Sequence, residues 1–153
     1  SRWRHLEIYD EQINLHSVLF LEEVIGHAPF GIEAIKTDNH ATFTNYYTGT
    51  NKRSDLLVKS LHALDAACRE RGIKHYLIDP GKPAQNGTVE RSHREDQEKL
   101  YDEVAFTSAE DLRYHIKLWN MYYNDLEHCG LNGKTPNEFL QNYQLINPPN
   151  VPA

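Results

Sequence analysis

The feature that most constrains the fold is an alternation of short strand patterns with longer helical patterns along the chain. Three short segments rich in β-branched or aromatic side chains are predicted strands: residues 3–9, 32–37 and 73–78. Segments whose apolar side chains recur at helical spacing lie between them, as in residues 11–25 and 55–71. Such an alternation is typical of an α/β domain, in which loops at the strand ends usually carry the chemistry.

The predicted helices begin and end at residues with capping chemistry. Asp10 is predicted to cap the first helix, and Gly72 is predicted to stop the second. The second helix is predicted to bury one apolar face: Leu57, Leu61, Leu64 and Cys68. Two later helices are predicted to begin with capping pairs at i, i+3 spacing: Ser108 with Asp111, and Thr135 with Glu138.

The most polar stretch is a turn-rich loop that leads into a helix, residues 80–94. Proline, glycine and an Asn-Gly pair favour turns in its first half. Residues three, four and seven apart share one face of a helix, so the second half predicts a polar stripe. Its members are Asn86, Glu90, His93, Arg94 and Gln97. A carboxylate beside a loop and basic side chains suits a metal or a phosphate, and the alternative is a solvated amphipathic helix.

Two carboxylates stand at neighbouring element ends. Asp38 closes the predicted strand 32–37, and Glu90 lies in the first turn of the helix that follows the strand 73–78. Mg²⁺ prefers oxygen ligands and retains waters, so two such carboxylates could hold it together. A single Asp after a strand is more often a cap or a turn residue. The pair therefore predicts a divalent metal site only if the two acids meet in space.

Several short motifs, in this order, resemble the retroviral-type integrase core, and more closely the transposases of bacterial insertion sequences that share it. The resemblance covers about residues 1–140 and is carried by seven segments: 35–39 (IKTDN), 71–75 (RGIKH), 80–83 (PGKP), 85–87 (QNG), 89–91 (VER), 122–124 (YYN) and 133–136 (GKTP). The family implies an α/β fold of the ribonuclease H-like type, a mixed sheet flanked by helices. It also implies the boundaries of a catalytic core at residues 1–140 and a tail or linker at 141–153.

The resemblance implies a chemistry and a set of site residues. The family uses three acids, Asp, Asp and Glu, to bind two Mg²⁺ or Mn²⁺ ions for cleavage of transposon ends and strand transfer into target DNA. Asp38 matches the second acid and Glu90 the third, as catalytic and metal-binding residues. The residues matched to the surroundings of the site are expected to contact DNA: Asn39, Lys82, Asn86, Arg91 and Arg94. The implied partners are DNA and a second copy of the chain, since cores of this family often dimerise.

Four features depart from the family pattern. The first acid is expected upstream of Ser1, and Asp10 follows the wrong strand to replace it. His40 stands where the family has Gly after Asp-Asn. Glu90 follows Asp38 by 52 residues, more than is usual, which predicts an insertion within residues 46–60. A basic stretch usual after Tyr-Asn is replaced by Glu127 and His128.

Composition limits the class of protein. The net charge of -6 and the pI near 5.8 argue against a protein that coats nucleic acid nonspecifically, although a local basic groove is compatible with them. No apolar run approaches the roughly 20 residues needed to span a bilayer, and no secretory signal precedes the first strand. Cys68 and Cys129 form no metal-binding or disulfide pattern, which favours a reducing compartment. We predict a cytoplasmic protein that does not bind membranes.

Three functional interpretations remain open at this point. The first is a DNA-processing catalytic core that is inactive as this chain alone, because one acid is missing. The second is a non-catalytic DNA-binding or assembly module derived from such a core. The third is a hydrolytic nuclease, which would use the same acids.

Overall fold

A computed structural model of the protein describes residues 1–46, 61–80, 82 and 87–146. Within these residues the predicted strands at 32–37 and 73–78 alternate with helices as expected, whereas the predicted strand at 3–9 is absent. The elements are α1 (Asn14–His27), β1 (Ala34–Thr37), α2 (Ala63–Glu70), β2 (Lys74–Leu77), α3 (Gly87–Asp96), α4 (Ala109–Asn124) and α5 (Pro136–Ile146). A π-helical turn (Gln97–Tyr101) continues α3, and a 3-10 turn (Cys129–Leu131) lies between α4 and α5. The chain forms two compact units, residues 9–104 and residues 1–8 with those from 105 onward.

The centre of the unit 9–104 is a pair of parallel strands. β1 and β2 pair in the register Ala34↔Lys74 to Thr37↔Leu77, and α2 lies between them along the chain. A hydrophobic core lies beside the strands and is supplied by α1, α2 and the residue just before β2: Leu21, Leu64, Ala67, Cys68 and Ile73. Because parallel strands end at the same edge, the residues that follow β1 and β2 are brought next to each other.

The first helix begins later than its sequence predicts. Asp10 is not its N-cap: α1 begins at Asn14, and Ile13 occupies the cap position without a side-chain hydrogen bond. Residues 10–15 are exposed, so water can satisfy the free N–H groups of the first turn without a capping side chain. The C-terminal end agrees with the helical segment predicted at residues 11–25 to within two residues, because α1 ends at His27.

The second helix is shorter than predicted at its N-terminus. His62 caps it, since its ring accepts a hydrogen bond from the Leu64 N–H at 3.2 Å. Leu61 lies before the cap and is 57% exposed, so its predicted place on the buried face is wrong. Leu64 and Cys68 are buried as predicted, and the predicted positions in 55–60 lie outside the described residues. Gly72 ends the segment with φ of +68°, which confirms the predicted stop.

The predicted strand at residues 3–9 is not a strand. Two asparagines of α4 bind this segment instead. The oxygen of each side-chain amide accepts from a backbone N–H, and its nitrogen donates to a backbone carbonyl. Asn124 accepts from the Arg4 N–H at 2.9 Å and donates to the Arg4 carbonyl at 2.8 Å. Asn120 does the same for Leu6, with both distances 2.8 Å. Side-chain amides satisfy the backbone groups that a neighbouring strand would otherwise pair, so no β-ladder forms here.

The unit that contains α4 and α5 also confirms the predicted caps. The Ser108 hydroxyl accepts from the Asp111 N–H at 3.1 Å. In the capping box of α5, Thr135 Oγ1 accepts from the Glu138 N–H at 3.1 Å, and Glu138 accepts from the Thr135 N–H at 2.9 Å. α5 runs to Ile146, past the boundary predicted at residue 140. Among the residues that the structure describes, no helix is both long and apolar enough to cross a membrane.

Candidate active site at the end of the parallel strands

Asp38 lies directly after the last residue of β1 and is half-buried. One of its carboxylate oxygens, Oδ1, accepts from the His40 N–H at 2.9 Å, which closes a tight turn at the strand end. Among the described residues, Oδ2 has no hydrogen-bond partner. The side chain is therefore held in place by one oxygen, and the other makes no hydrogen bond to the described residues.

The neighbouring residue ties this turn to the second strand. Asn39 donates through Nδ2 to the Ile78 carbonyl at 3.1 Å, and the Ile78 N–H donates to the Thr37 carbonyl at 3.0 Å. The Oδ1 of Asn39 is buried and makes no hydrogen bond within the described part of the chain. Asn39 was predicted to contact DNA. Its donor group is used to join the ends of β1 and β2, and its acceptor oxygen is buried.

Glu90 occupies a different environment. It lies in the first turn of α3 and is exposed, and no hydrogen bond or ion pair is found for it among the described residues. α3 is largely exposed, as its few apolar residues predict, up to Asp96, which is buried. His93 lies 3.9 Å from the Asp96 carboxylate, so this member of the predicted stripe turns toward an acid of its own helix.

The described residues provide two acids rather than three for the predicted metal site. Neither Asp38 nor Glu90 belongs to a group of three or more potential metal ligands within the described ranges. No hydrogen bond or ion pair joins the two in that part of the chain. The prediction that they share a cation remains a prediction.

The predicted DNA-contact residues near Glu90 have exposed side chains. Arg91 and Arg94 are exposed on α3. Lys82 is exposed and lies 3.2 Å from the Asp79 carboxylate, an ion pair in which both side chains are more than half exposed. An ion pair that is this exposed contributes little to stability. Asn86 lies outside the described residues.

His40, which departs from the family pattern, is integrated into the turn after Asp38. Its Nδ1 lies 2.6 Å from the Thr42 hydroxyl and 3.4 Å from the Gln12 amide nitrogen. Thr42 is buried. The imidazole therefore fixes the path of the chain just after the acid, a role that a glycine in this position could not supply.

A polar connection that the sequence did not predict leads into the same strand end. His75 on β2 lies 2.6 Å from the Asp65 carboxylate through Nδ1 and 2.8 Å from the Thr37 hydroxyl through Nε2. The sequence places His75 in a predicted strand and indicates no partner for its side chain. The three residues are far apart along the chain, and none belongs to a recognisable motif with the other two, so only the tertiary structure brings them together.

Comparison with known proteins places these observations in context. The integrase core domain family matches residues 71–136. The chain is 30% identical, over 72% of its length, to the insertion element IS476 uncharacterized 39.2 kDa protein of Xanthomonas euvesicatoria. It is 27% identical, over 73% of its length, to the insertion element IS407 uncharacterized 31.7 kDa protein of Burkholderia multivorans. The matches span 28% and 35% of those two proteins, respectively.

A solved structure supports the same fold. The crystal structure of the catalytic core domain of BIV integrase aligns with a TM-score of 0.63 and 22% sequence identity. The alignment covers 92% of this chain and 80% of that one. The predicted ribonuclease H-like α/β fold is thereby confirmed, although the described part of the sheet contains only the parallel pair β1 and β2.

Proposed function

We propose that the chain, whose residues 71–136 match the integrase core domain family, takes part in DNA transposition through metal-dependent phosphoryl transfer. The proposed reactions are cleavage at transposon ends and strand transfer into target DNA. The observation that carries the proposal is the position of Asp38 at the shared end of β1 and β2, where α/β sheets place their ligands. The chain spans about a third or less of the curated relatives it matches, so substrates and partners of the whole protein belong to the proposal.

The acids present fit a hard divalent cation. Asp38 keeps one oxygen without a hydrogen bond to any described residue, and Glu90 is exposed at the start of α3. Carboxylate oxygens with room for waters and phosphate oxygens are the ligands that Mg²⁺ and Mn²⁺ prefer. When bound, such ions supply an activated hydroxyl or water and stabilise the leaving oxygen.

The chain's own groups position the acid and the DNA. Asp38 is held by the His40 N–H, while Asn39 joins the turn to β2. A carboxylate fixed before substrate arrives needs little reorganisation during reaction, which is how protein groups contribute most to phosphoryl transfer. The exposed guanidinium groups of Arg91 and Arg94 can bind backbone phosphates through paired hydrogen bonds.

A manganese titration tests the metal site. Mn²⁺ that binds only the folded protein raises the thermal midpoint. We expect this rise in the wild-type chain and a much smaller one in Asp38→Asn and Glu90→Gln. Glu98→Gln is the matched control, because it removes an exposed acid from the π-helical turn after α3. An equal rise in all four proteins would contradict a shared site at Asp38 and Glu90.

DNA binding tests the proposed phosphate contacts. For duplex DNA, removing one contact between a basic side chain and a phosphate reduces the slope of log K against log salt concentration by about 0.9. We therefore expect Arg91→Ala and Arg94→Ala to weaken binding of a fluorescent duplex and to flatten this slope. Lys117→Ala, which removes an exposed charge from α4, is the control. Identical slopes for all three variants would place the DNA elsewhere.

A second function is favoured by a specific observation. Only two of the three acids implied by the family are matched, and the exposed Glu90 has no described contact with Asp38. These facts support a non-catalytic DNA-binding or assembly module, and they also lead us to expect no strand transfer by the chain alone. DNA binding with no thermal response to Mn²⁺ would favour the module. Light scattering of the free and DNA-bound chain would test the predicted dimer.

A further inference from the structure

We propose that Asp65, His75 and Thr37 form a positioning chain that fixes the end of β1 and, through it, the carboxylate of Asp38. This role rests on the proposed function of Asp38 as a metal ligand. The three side chains come from three elements: Asp65 from the first turn of α2, His75 from β2 and Thr37 from the last position of β1. They are joined by contacts of 2.6 and 2.8 Å.

The strand register explains how the side chains meet. His75 is paired with Ile35 across the two strands, and Thr37 lies two residues further along β1. Residues two apart point to the same face of a strand, so Thr37 is the diagonal neighbour of His75 on that face. The His75 side chain is only 5% exposed, whereas that of Asp65 is 36% exposed. The imidazole is thus shielded from water between a partly hydrated acid and the strand end.

The chemistry of the three side chains determines which atoms donate and which accept hydrogen bonds. An ionised carboxylate can only accept hydrogen bonds, so Asp65 takes the Nδ1–H of His75 and sets the orientation of the ring. Nε2 then accepts from the Thr37 hydroxyl, whose single proton is shared between Nε2 and the Asp38 carbonyl oxygen, 3.0 Å away. Threonine is stiff at χ1 because its Cβ is branched. Fixing its hydroxyl therefore restrains the peptide group that carries Asp38.

The contacts of Thr37 place this restraint next to the metal-binding acid. The Thr37 carbonyl accepts from the Ile78 N–H at 3.0 Å, and the Asp38 carboxylate accepts from the His40 N–H at 2.9 Å. The backbone of Thr37 and the side chain of Asp38 are thus each held by a hydrogen bond. Outer groups of this kind orient metal ligands, and their loss typically lowers metal affinity by about 10- to 100-fold.

The test compares variants that keep or remove the hydroxyl and the carboxyl acceptor. Thr37→Val preserves the shape and removes the hydroxyl, whereas Thr37→Ser preserves the hydroxyl. Asp65→Ala removes the acceptor, and Asp65→Asn retains one acceptor oxygen. Ile73→Val is the control, because it trims a buried core residue that lies just before β2 and makes none of these contacts.

Two readouts are measured on the full chain. The first is hydrogen exchange of the His40 amide, whose partner is the Asp38 carboxylate. The second is the Mn²⁺ dissociation constant. We expect Thr37→Val and Asp65→Ala to speed the exchange of the His40 amide and to weaken Mn²⁺ binding about tenfold or more. Thr37→Ser, Asp65→Asn and Ile73→Val should remain close to wild type in both.

The outcomes separate this role from the proposed metal site. If Thr37→Val and Ile73→Val change His40 exchange equally at equal loss of thermal midpoint, the three residues are only structural and the positioning role is wrong. If His40 exchange responds as expected but Asp38→Asn leaves Mn²⁺ binding intact, the positioning chain stands and the metal site at Asp38 is wrong.

Discussion

The side-chain amide of Asn124 is hydrogen bonded at both ends to the backbone of Arg4, accepting from its N–H and donating to its carbonyl. Asn124 is buried, so the two backbone groups depend on it rather than on water. The Arg4 guanidinium also lies 3.5 Å from the centre of the Tyr123 ring, which adds a cation–π contact beside the amide. Residues 1–8 are thereby attached to α4 without forming a strand.

Replacement of Asn124 by Leu should destabilise this attachment. The variant keeps a similar volume but leaves a backbone donor and acceptor unpaired, which costs about 1–3 kcal/mol for each buried group. Hydrogen exchange should show fast exchange of the Arg4 amide, and the thermal midpoint should fall. Asn142→Leu on the exposed side of α5 is the control. Equal losses in the two variants would mean that the amide contacts do not matter.

The two cysteines should differ sharply in reactivity. Cys68 is 1% exposed, and its pKa is raised first by burial and then by the charge of Asp65, with partial relief from Arg71. A raised pKa means less thiolate at neutral pH, and the thiolate is the reactive form. Cys129 is exposed. A thiol reagent should modify one equivalent in the native protein and the second only on unfolding. Cys129→Ser should abolish the fast equivalent, and a fast reaction in that variant would contradict the burial of Cys68.

The start of α4 should lose stability in acid. The pKa of Asp111 is lowered, first by the Thr107 N–H and then by the Thr107 hydroxyl, at 2.9 and 3.0 Å. A folded-state pKa below the unfolded one adds stability above the unfolded value of about 3.9, and this is lost as the pH falls through the lower folded value. The thermal midpoint of Asp111→Asn should thus lie below wild type near neutral pH and approach it in acid. Glu110→Gln, in the same first turn, is the control; a gap that persists in acid would count against the carboxylate.

Removing the capping box of α5 should lower the free energy of unfolding moderately. Thr135→Ala removes the oxygen that accepts from the Glu138 N–H and should cost about 1 kcal/mol, as measured by urea unfolding. Thr135→Ser should restore most of it, because serine supplies the same oxygen. Gln141→Ala, an exposed change on the same helix, should have little effect. A loss in the serine variant as large as that in the alanine variant would show that the methyl group, not the cap, is needed.

Two glycine-to-alanine substitutions should change the stability of the protein in opposite directions. Gly72 has φ of +68°, so Gly72→Ala forces alanine into the left-handed region and should cost about 1–2 kcal/mol. Gly26 lies within α1 with open space where a Cβ would stand. Gly26→Ala should therefore stabilise the protein by about 0.5–1 kcal/mol. Unfolding curves of both variants would check this, and a loss at both positions would contradict the helical environment of Gly26.

Local chemistry accounts for the parts of the fold that the sequence predicted well. The caps at Ser108 and Thr135 and the stop at Gly72 depend on residues within four positions of one another. Such contacts are encoded in short stretches, so they can be recognised without knowing the tertiary structure. The position of Asp38 at a strand end was predictable for the same reason.

Long-range contacts account for what the sequence did not predict. Residues 3–9 have a strand pattern, but whether a strand forms depends on a partner, and here the asparagines of α4 take that place. The contact between Asp65 and His75 depends on the placement of α2 over the parallel strands. No local pattern encodes either arrangement.

The two proposed metal ligands differ in how firmly the protein holds them. Asp38 belongs to a turn that hydrogen bonds hold together and join to the residue after β2, whereas Glu90 is exposed in the first turn of α3. If one cation binds both acids, we therefore expect α3 to move and the turn after β1 to stay in place, because displacing the turn would break its hydrogen bonds to the residue after β2.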